Sequence, residues 1–225
     1  MNIAYKITEL KQDLTKGLLS NEEIFQRHIV DGSTYFFNDV IRDNLKEYTT
    51  KSIIANAFDV HIHEVVFVGS AKLGYSLNPK NLFNPFDLKF TNTKANRDKS
   101  DLDIAIVSSK LFDKIGDSIF DYTDSYTSKW KANEYYSEME AQKKFDVPVC
   151  YKHFEYYAKG WFRPDFKPTG FDFCEKGTYQ ELKRLLFSQY KRKIAIAIYK
   201  NWHFFKEYHM RNLKSLHYLV KTEPL

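Results

Sequence analysis

The chain has 225 residues, 34 Lys/Arg against 29 Asp/Glu for a net charge of +5, and 43% hydrophobic residues. That balance is ordinary for a folded protein in water, and no apolar run approaches the roughly 20 residues of a membrane helix. With Cys150 and Cys174 as the only cysteines, neither a disulfide framework nor a zinc site is suggested.

The opening stretch MNIAYKITELKQDL is charged and amphipathic, without the apolar centre of a secretory signal. These features predict a reduced, cytoplasmic protein with no membrane partner. Aromatic residues reach 17%. Because Phe, Tyr, Lys, Asn and Ile are abundant together, this reads as the bias of an AT-rich genome rather than as a set of stacking platforms. From Lys176 onward there are eleven Lys/Arg and three Asp/Glu, a local +8 that leaves −3 for the rest. Such a segment suits a polyanionic partner, or else a solvated helix face.

In chain order, LLSNEEIFQRH places Ser20 and Glu23 at capping-box spacing before an apolar run. Apolar residues then recur at three and four, which predicts one helix over 34–58 after a break at 30–33. HEVVFVGS is a β-branched run ended by Gly69 and reads as a buried strand. A helical turn starting at Ser70 follows. Residues 78–100 hold two prolines and five asparagines with no sustained period, the texture of a long loop or insertion. DLDIAIVSS is the second strand, and residues 110–145 return to a mostly helical texture. The aromatic stretch 147–177 carries no assignment. TYQELKRLLFSQYKRK predicts an amphipathic helix, IAIAIYKNW a strand, and the remainder a closing helix. One unit is expected: a helical lead-in over 1–60, a core over 61–150, and an aromatic loop with a basic helical part over 151–225.

Two short stretches carry chemistry. A strand that ends in Gly-Ser and enters a helix offers free backbone N–H groups to an anion. Gly69 permits close approach, the Ser70 hydroxyl adds a hydrogen bond, and Lys72 is within reach of the same phosphates. In SDLDIAIV, Asp101 and Asp103 lie two apart on a strand and so project from one face. Their charges are costly to place there without a compensating cation. Oxygen ligands of this kind suit Mg²⁺ or Mn²⁺, shared with substrate phosphates.

Together VVFVGS and SDLDIAIV resemble the hallmark of the nucleotidyltransferase superfamily, the polymerase-beta-like fold, over about residues 64–109. The resemblance implies an α/β (α+β) fold, with a small mixed sheet of the nucleotidyltransferase type and flanking N- and C-terminal helices. It implies transfer of a nucleoside monophosphate from an NTP to an acceptor: RNA, protein, nucleotide or small molecule. Gly69 and Ser70 would hold the phosphates, and Asp101 and Asp103 the metal. Family habit also brings toxin–antitoxin and antiphage defence into view.

Two features depart from that pattern. Thirty residues separate Ser70 from Asp101, where the family has about a dozen. The later strand IAIAIY also lacks the third carboxylate that active members carry there, leaving Asp146, Asp165 and Asp172 as candidates. The alternative is therefore a catalytically incomplete nucleotide sensor or partner subunit. Among weaker signals, the histidines of HIHE read as a strand start rather than a metal pair. In the loop KGWFRPDFKP, Arg163 reads as a grip for a phosphate or carboxylate and Trp161 as a ring to stack a base, or else Pro164 and Pro168 fix a rigid connection with Trp161 as its hydrophobic anchor. YKRK at 190–193 reads as a solvated charge run or an RNA contact.

Overall fold

The computed structural model describes residues 3–124, 129–130, 132–136 and 144–222, with only the backbone of 132–136, 144–148 and 221–222. It is mixed α and β, built on a four-stranded sheet. β1 (Val65–Val68) and β2 (Leu102–Val107) pair antiparallel. β2 pairs in parallel with β6 (Ile194–Tyr199), and the two-residue β5 (Trp161–Phe162) closes the edge antiparallel to β6. Apart from Asp103, both central strands are apolar up to Val107 and Ile198, because each is covered on both faces.

The two faces differ in kind. Ile194, Ile196 and Ile198 of β6 join Leu102, Ile104 and Ile106 of β2 in one core, beneath α3 (Asn44–Phe58), α6 (Ser109–Thr123) and α8 (Tyr179–Tyr190). The opposite face carries small residues, Ala105, Ala195 and Ala197. It packs on α1 (Ile3–Lys16) and the closing α9 (Trp202–Thr222) through Leu10, Leu14, Phe205, Leu213 and Leu216. Strand periodicity sets this division, and the alanines leave room between sheet and helix.

The capping box at Ser20 is formed: its hydroxyl accepts from the Glu23 N–H, and the Glu23 carboxylate accepts from the Ser20 N–H at 2.7 Å. The helix foreseen over 34–58 is instead two pieces. A wide π-type turn spans Phe36–Ile41, Arg42 takes a left-handed conformation, and Asp43 then caps α3. An Asp that accepts from the N–H groups of Leu45 and Lys46 starts a new helix rather than continuing the old one.

Residues 110–145 also differ from expectation. Helix ends at Thr123, and β3 (Ala132–Tyr136) pairs antiparallel with β4 (Lys144–Pro148) as a separate two-stranded sheet. The unassigned aromatic stretch supplies α7 (Val149–Ala158), β5 and a short 3-10 turn over Pro164–Phe166.

The segment read as an insertion is tied down. It contains the short α5 (Leu88–Thr93), and Phe86 enters the core. Arg192 donates to both carboxylate oxygens of Asp87, at 2.7 and 2.5 Å, and to the Ser100 carbonyl at 3.2 Å. Its guanidinium also lies over the rings of Phe36 and Phe86. This corrects the reading of 190–193 as a solvated or RNA-facing run at Arg192 alone, which is buried and belongs to the fold, while Lys191 and Lys193 are exposed. Among the described residues no helix is long and apolar enough to cross a membrane.

Candidate functional site

Gly69 and Asp103 meet. The register of β1 and β2 places Val68 opposite Asp103, so the end of one strand and the start of the other share a corner of the sheet. Gly69 follows at φ +67°, and a Cβ built on it would stand 2.7 Å from Asp103 Oδ2. The missing side chain is thus needed twice, for the left-handed backbone and for the carboxylate. Gly69→Ala is expected to lower stability by about 1–2 kcal/mol from the backbone term alone. A drop of several degrees in a calorimetric melt, together with loss of any ligand that uses Asp103, is the predicted result.

Gly69, Ser70 and Asp103 open onto a cavity of about 640 Å³ between the sheet and α9. Its floor is Ala105, Ala195 and Ala197, the small residues that keep α9 off this part of the sheet. Tyr208, His209 and Asn212 of α9 form the far wall, and Trp161, Arg163 and Asp165 the third side.

Burial pushes the Asp103 carboxyl up to about 6, and the nearby charge of Asp101 pushes in the same direction. Lys193 opposes both, its Nζ 3.1 Å from Asp101 Oδ2. Asp101 itself is partly exposed at the strand entrance and does not line the cavity. The cation sought from sequence is therefore partly supplied by a lysine, though one whose side chain is 70% exposed and weakly held.

Lys72 does not join Ser70. α4 (Gly69–Leu73) is a single short turn, and residues two apart on a helix face different ways. Lys72 is buried on the opposite side. There its ammonium donates to the Gly32 carbonyl and lines a separate cavity with Glu47, Lys51 and Trp202. Burial lowers it to about 8. A five-residue helix also contributes little dipole, so the anion-binding potential rests on the backbone at Gly69 and the Ser70 hydroxyl.

The three third-carboxylate candidates separate. Asp165 lines the cavity, with Arg163 Nη2 3.1 Å from its Oδ2. Asp172 accepts from the N–H groups of Cys174 and Tyr179, holding the start of α8. The side chain of Asp146, on β4, lies outside the described residues. On β6, the residue beside Asp103 is Ala195. Among the described residues no three His, Cys, Asp or Glu side chains are grouped to hold a metal. A divalent ion at this corner would rest on the two aspartates and draw its remaining ligands from water or phosphate, which suits Mg²⁺ or Mn²⁺. The His61 and His63 rings stack at 5.1 Å in a capping turn ahead of β1.

Sequence reasoning did not anticipate the far wall. Trp161 Nε1 and His209 Nε2 are buried with no hydrogen-bond partner among the described residues, although nearly all such atoms in folded proteins find one. Burial lowers His209 to about 4, so the imidazole is neutral at physiological pH. The ring of Trp161 is not free to stack a base. Tyr199 lies parallel to it at 5.6 Å, and the Arg163 guanidinium sits 5.2 Å from its centre.

Comparison with known proteins finds no matching family model, no matching curated protein and no matching solved structure.

Proposed function

We propose that this cavity binds a nucleoside triphosphate with a divalent cation, and that the chain is a nucleotidyltransferase acting on an acceptor hydroxyl. The observation that carries the reading is the contact between Gly69 and Asp103. Two stretches separated by thirty residues meet at the floor of one polar-rimmed cavity, with no packing reason for the carboxylate.

Bound Mg²⁺ or Mn²⁺ would neutralise phosphate charge and lower the pKa of an acceptor hydroxyl. Asp103 and Asp101 would hold the ion, Ser70 would donate its hydroxyl to a phosphate oxygen, and Gly69 would let that phosphate approach the backbone. In the transfer, the acceptor oxygen bonds to the α-phosphorus as the α–β bridging P–O bond breaks. Pyrophosphate leaves with the electron pair, and the hydroxyl proton passes to a carboxylate or to solvent.

A second reading is favoured by a specific observation: Ala195 stands beside Asp103 where a third carboxylate would be expected, and Lys193 pairs with Asp101. On this reading the cavity binds nucleotide without transferring it, and the chain serves as a sensor or partner subunit in a defence or toxin–antitoxin setting.

Incubation with each α-labelled NTP, Mg²⁺ or Mn²⁺, and total RNA separates the two. Label on RNA, protein or a small product that is lost in Asp101→Ala/Asp103→Ala is the expected result. Cation-dependent binding with no product from any NTP would replace the transferase with the sensor.

A further inference from the structure

Among the described residues that line the cavity, Arg163 is the one cation, and its position is fixed in an unusual way. Its guanidinium carbon lies 5.3 Å from the ring centre of Tyr156, 5.2 Å from Trp161 and 4.9 Å from Phe166. The cage is itself braced: Tyr156 stacks on Phe166 at an interplanar angle of 6°, and Trp161 on Tyr199 at 9°. A guanidinium held against ring faces keeps its in-plane N–H groups for hydrogen bonding. A single contact to Asp165, whose side chain is 74% exposed, uses part of that capacity.

The sheet register locates this group relative to Asp103. Trp161 and Phe162 pair with Tyr199 and Ile198, so the extended Arg163 falls beside Ala197, on the same face as Trp161. Asp103 falls beside Ala195 on the other side of β6. Ordinary strand spacing puts the two backbones about 12 Å apart, with the alanine floor between them. An anion on that floor would have Ser70 and Asp103 on one side and the guanidinium on the other.

We propose that Arg163 is a further, cationic phosphate-binding residue of this cavity: the aromatic cage presents it to the phosphate chain of the ligand, and Asp165 is its resting counter-ion rather than a metal ligand. This rests on the nucleotide-binding reading above. Ligand phosphate displaces Asp165 and takes a charge-assisted, forked pair of hydrogen bonds from Arg163. The cage explains why Trp161 stands where it does: it orients the cation and is not a stacking platform.

The two partners therefore have opposite expected effects. In equilibrium titrations of the full chain with ATP, GTP, CTP and UTP in the presence of Mn²⁺, Arg163→Met should weaken triphosphate binding about 10- to 100-fold. Arg163→Lys should recover only part of it, since an ammonium cannot reproduce the fork. Asp165→Asn should leave triphosphate binding unchanged or tighten it by releasing Arg163. Melting curves identical to wild type for Arg163→Lys and Asp165→Asn make the comparison independent of folding. Weakened Mn²⁺-dependent binding in Asp165→Asn would overturn the proposal by making Asp165 a metal ligand. Binding that is lost in Asp103→Asn but kept in Arg163→Met would overturn it while leaving the nucleotide site intact. Absence of binding to wild type with all four triphosphates would remove both.

Discussion

Asp103→Asn is expected to make the protein more stable at neutral pH while abolishing cation-dependent nucleotide binding. The carboxyl is raised to about 6 from an ordinary 3.8, chiefly by burial and next by Asp101. A group raised in the folded state favours folding while it is protonated. That advantage is complete below about pH 4 and is lost as pH rises through about 6. Above pH 6 the folded chain therefore holds a carboxylate it disfavours, at a cost on the order of 3 kcal/mol. The Asn variant removes that cost. Its melting temperature should exceed wild type at pH 7.5, with the difference disappearing near pH 4. Added Mn²⁺ should raise the wild-type melting temperature and leave the variant unmoved, because only the carboxylate gains from the ion. A residue kept at a stability cost in a cavity is the pattern of a binding site rather than of a core.

Arg192→Met is expected to give the largest loss of stability. Arg192 and Asp87 have side chains only 6% and 13% exposed, and their forked ion pair joins the 78–100 segment to the start of β6. Removing one member strands the other charge, which in buried pairs costs about 3–5 kcal/mol. The urea midpoint should fall accordingly, by more than for Lys193→Met, whose exposed partner is Asp101. The double variant Asp87→Asn/Arg192→Met should recover part of the loss, since it leaves no unpaired charge. Because Leu102 donates its N–H to the Lys193 carbonyl at 2.9 Å, loosening this corner also disturbs the entrance of β2, where Asp101 and Asp103 stand.

The strands were legible where local pattern suffices. VVFV, LDIAIV and IAIAIY announce themselves by β-branched content, and the Ile/Ala alternation of β6 already implied one thick and one thin face. The Gly69 and Asp103 pairing was legible as chemistry but not as contact, because antiparallel register is a property of two strands and not of either one. Lys72 was misplaced for a reason visible in its own spacing: two residues on from Ser70, a helical turn carries it to the other side. The break at Arg42 escaped because apolar periodicity runs through it, although Asp43 is a capping residue and gave a signal.

Two features had no local trace. Asp87 and Arg192 are 105 residues apart in the chain, and nothing in either neighbourhood names the other. The cage around Arg163 draws Tyr156 from α7, Trp161 from β5 and Phe166 from the following turn. It exists only once β5 has paired with β6.

The most direct test of the site is a Mn²⁺ titration of wild type, Asp101→Asn and Asp103→Asn in the presence of each nucleoside triphosphate, followed by water-proton relaxation. Ternary enhancement in wild type that disappears in Asp103→Asn and weakens in Asp101→Asn is the predicted result. Equal enhancement in all three proteins, or none in wild type with any triphosphate, would contradict a metal–nucleotide site at this corner of the sheet.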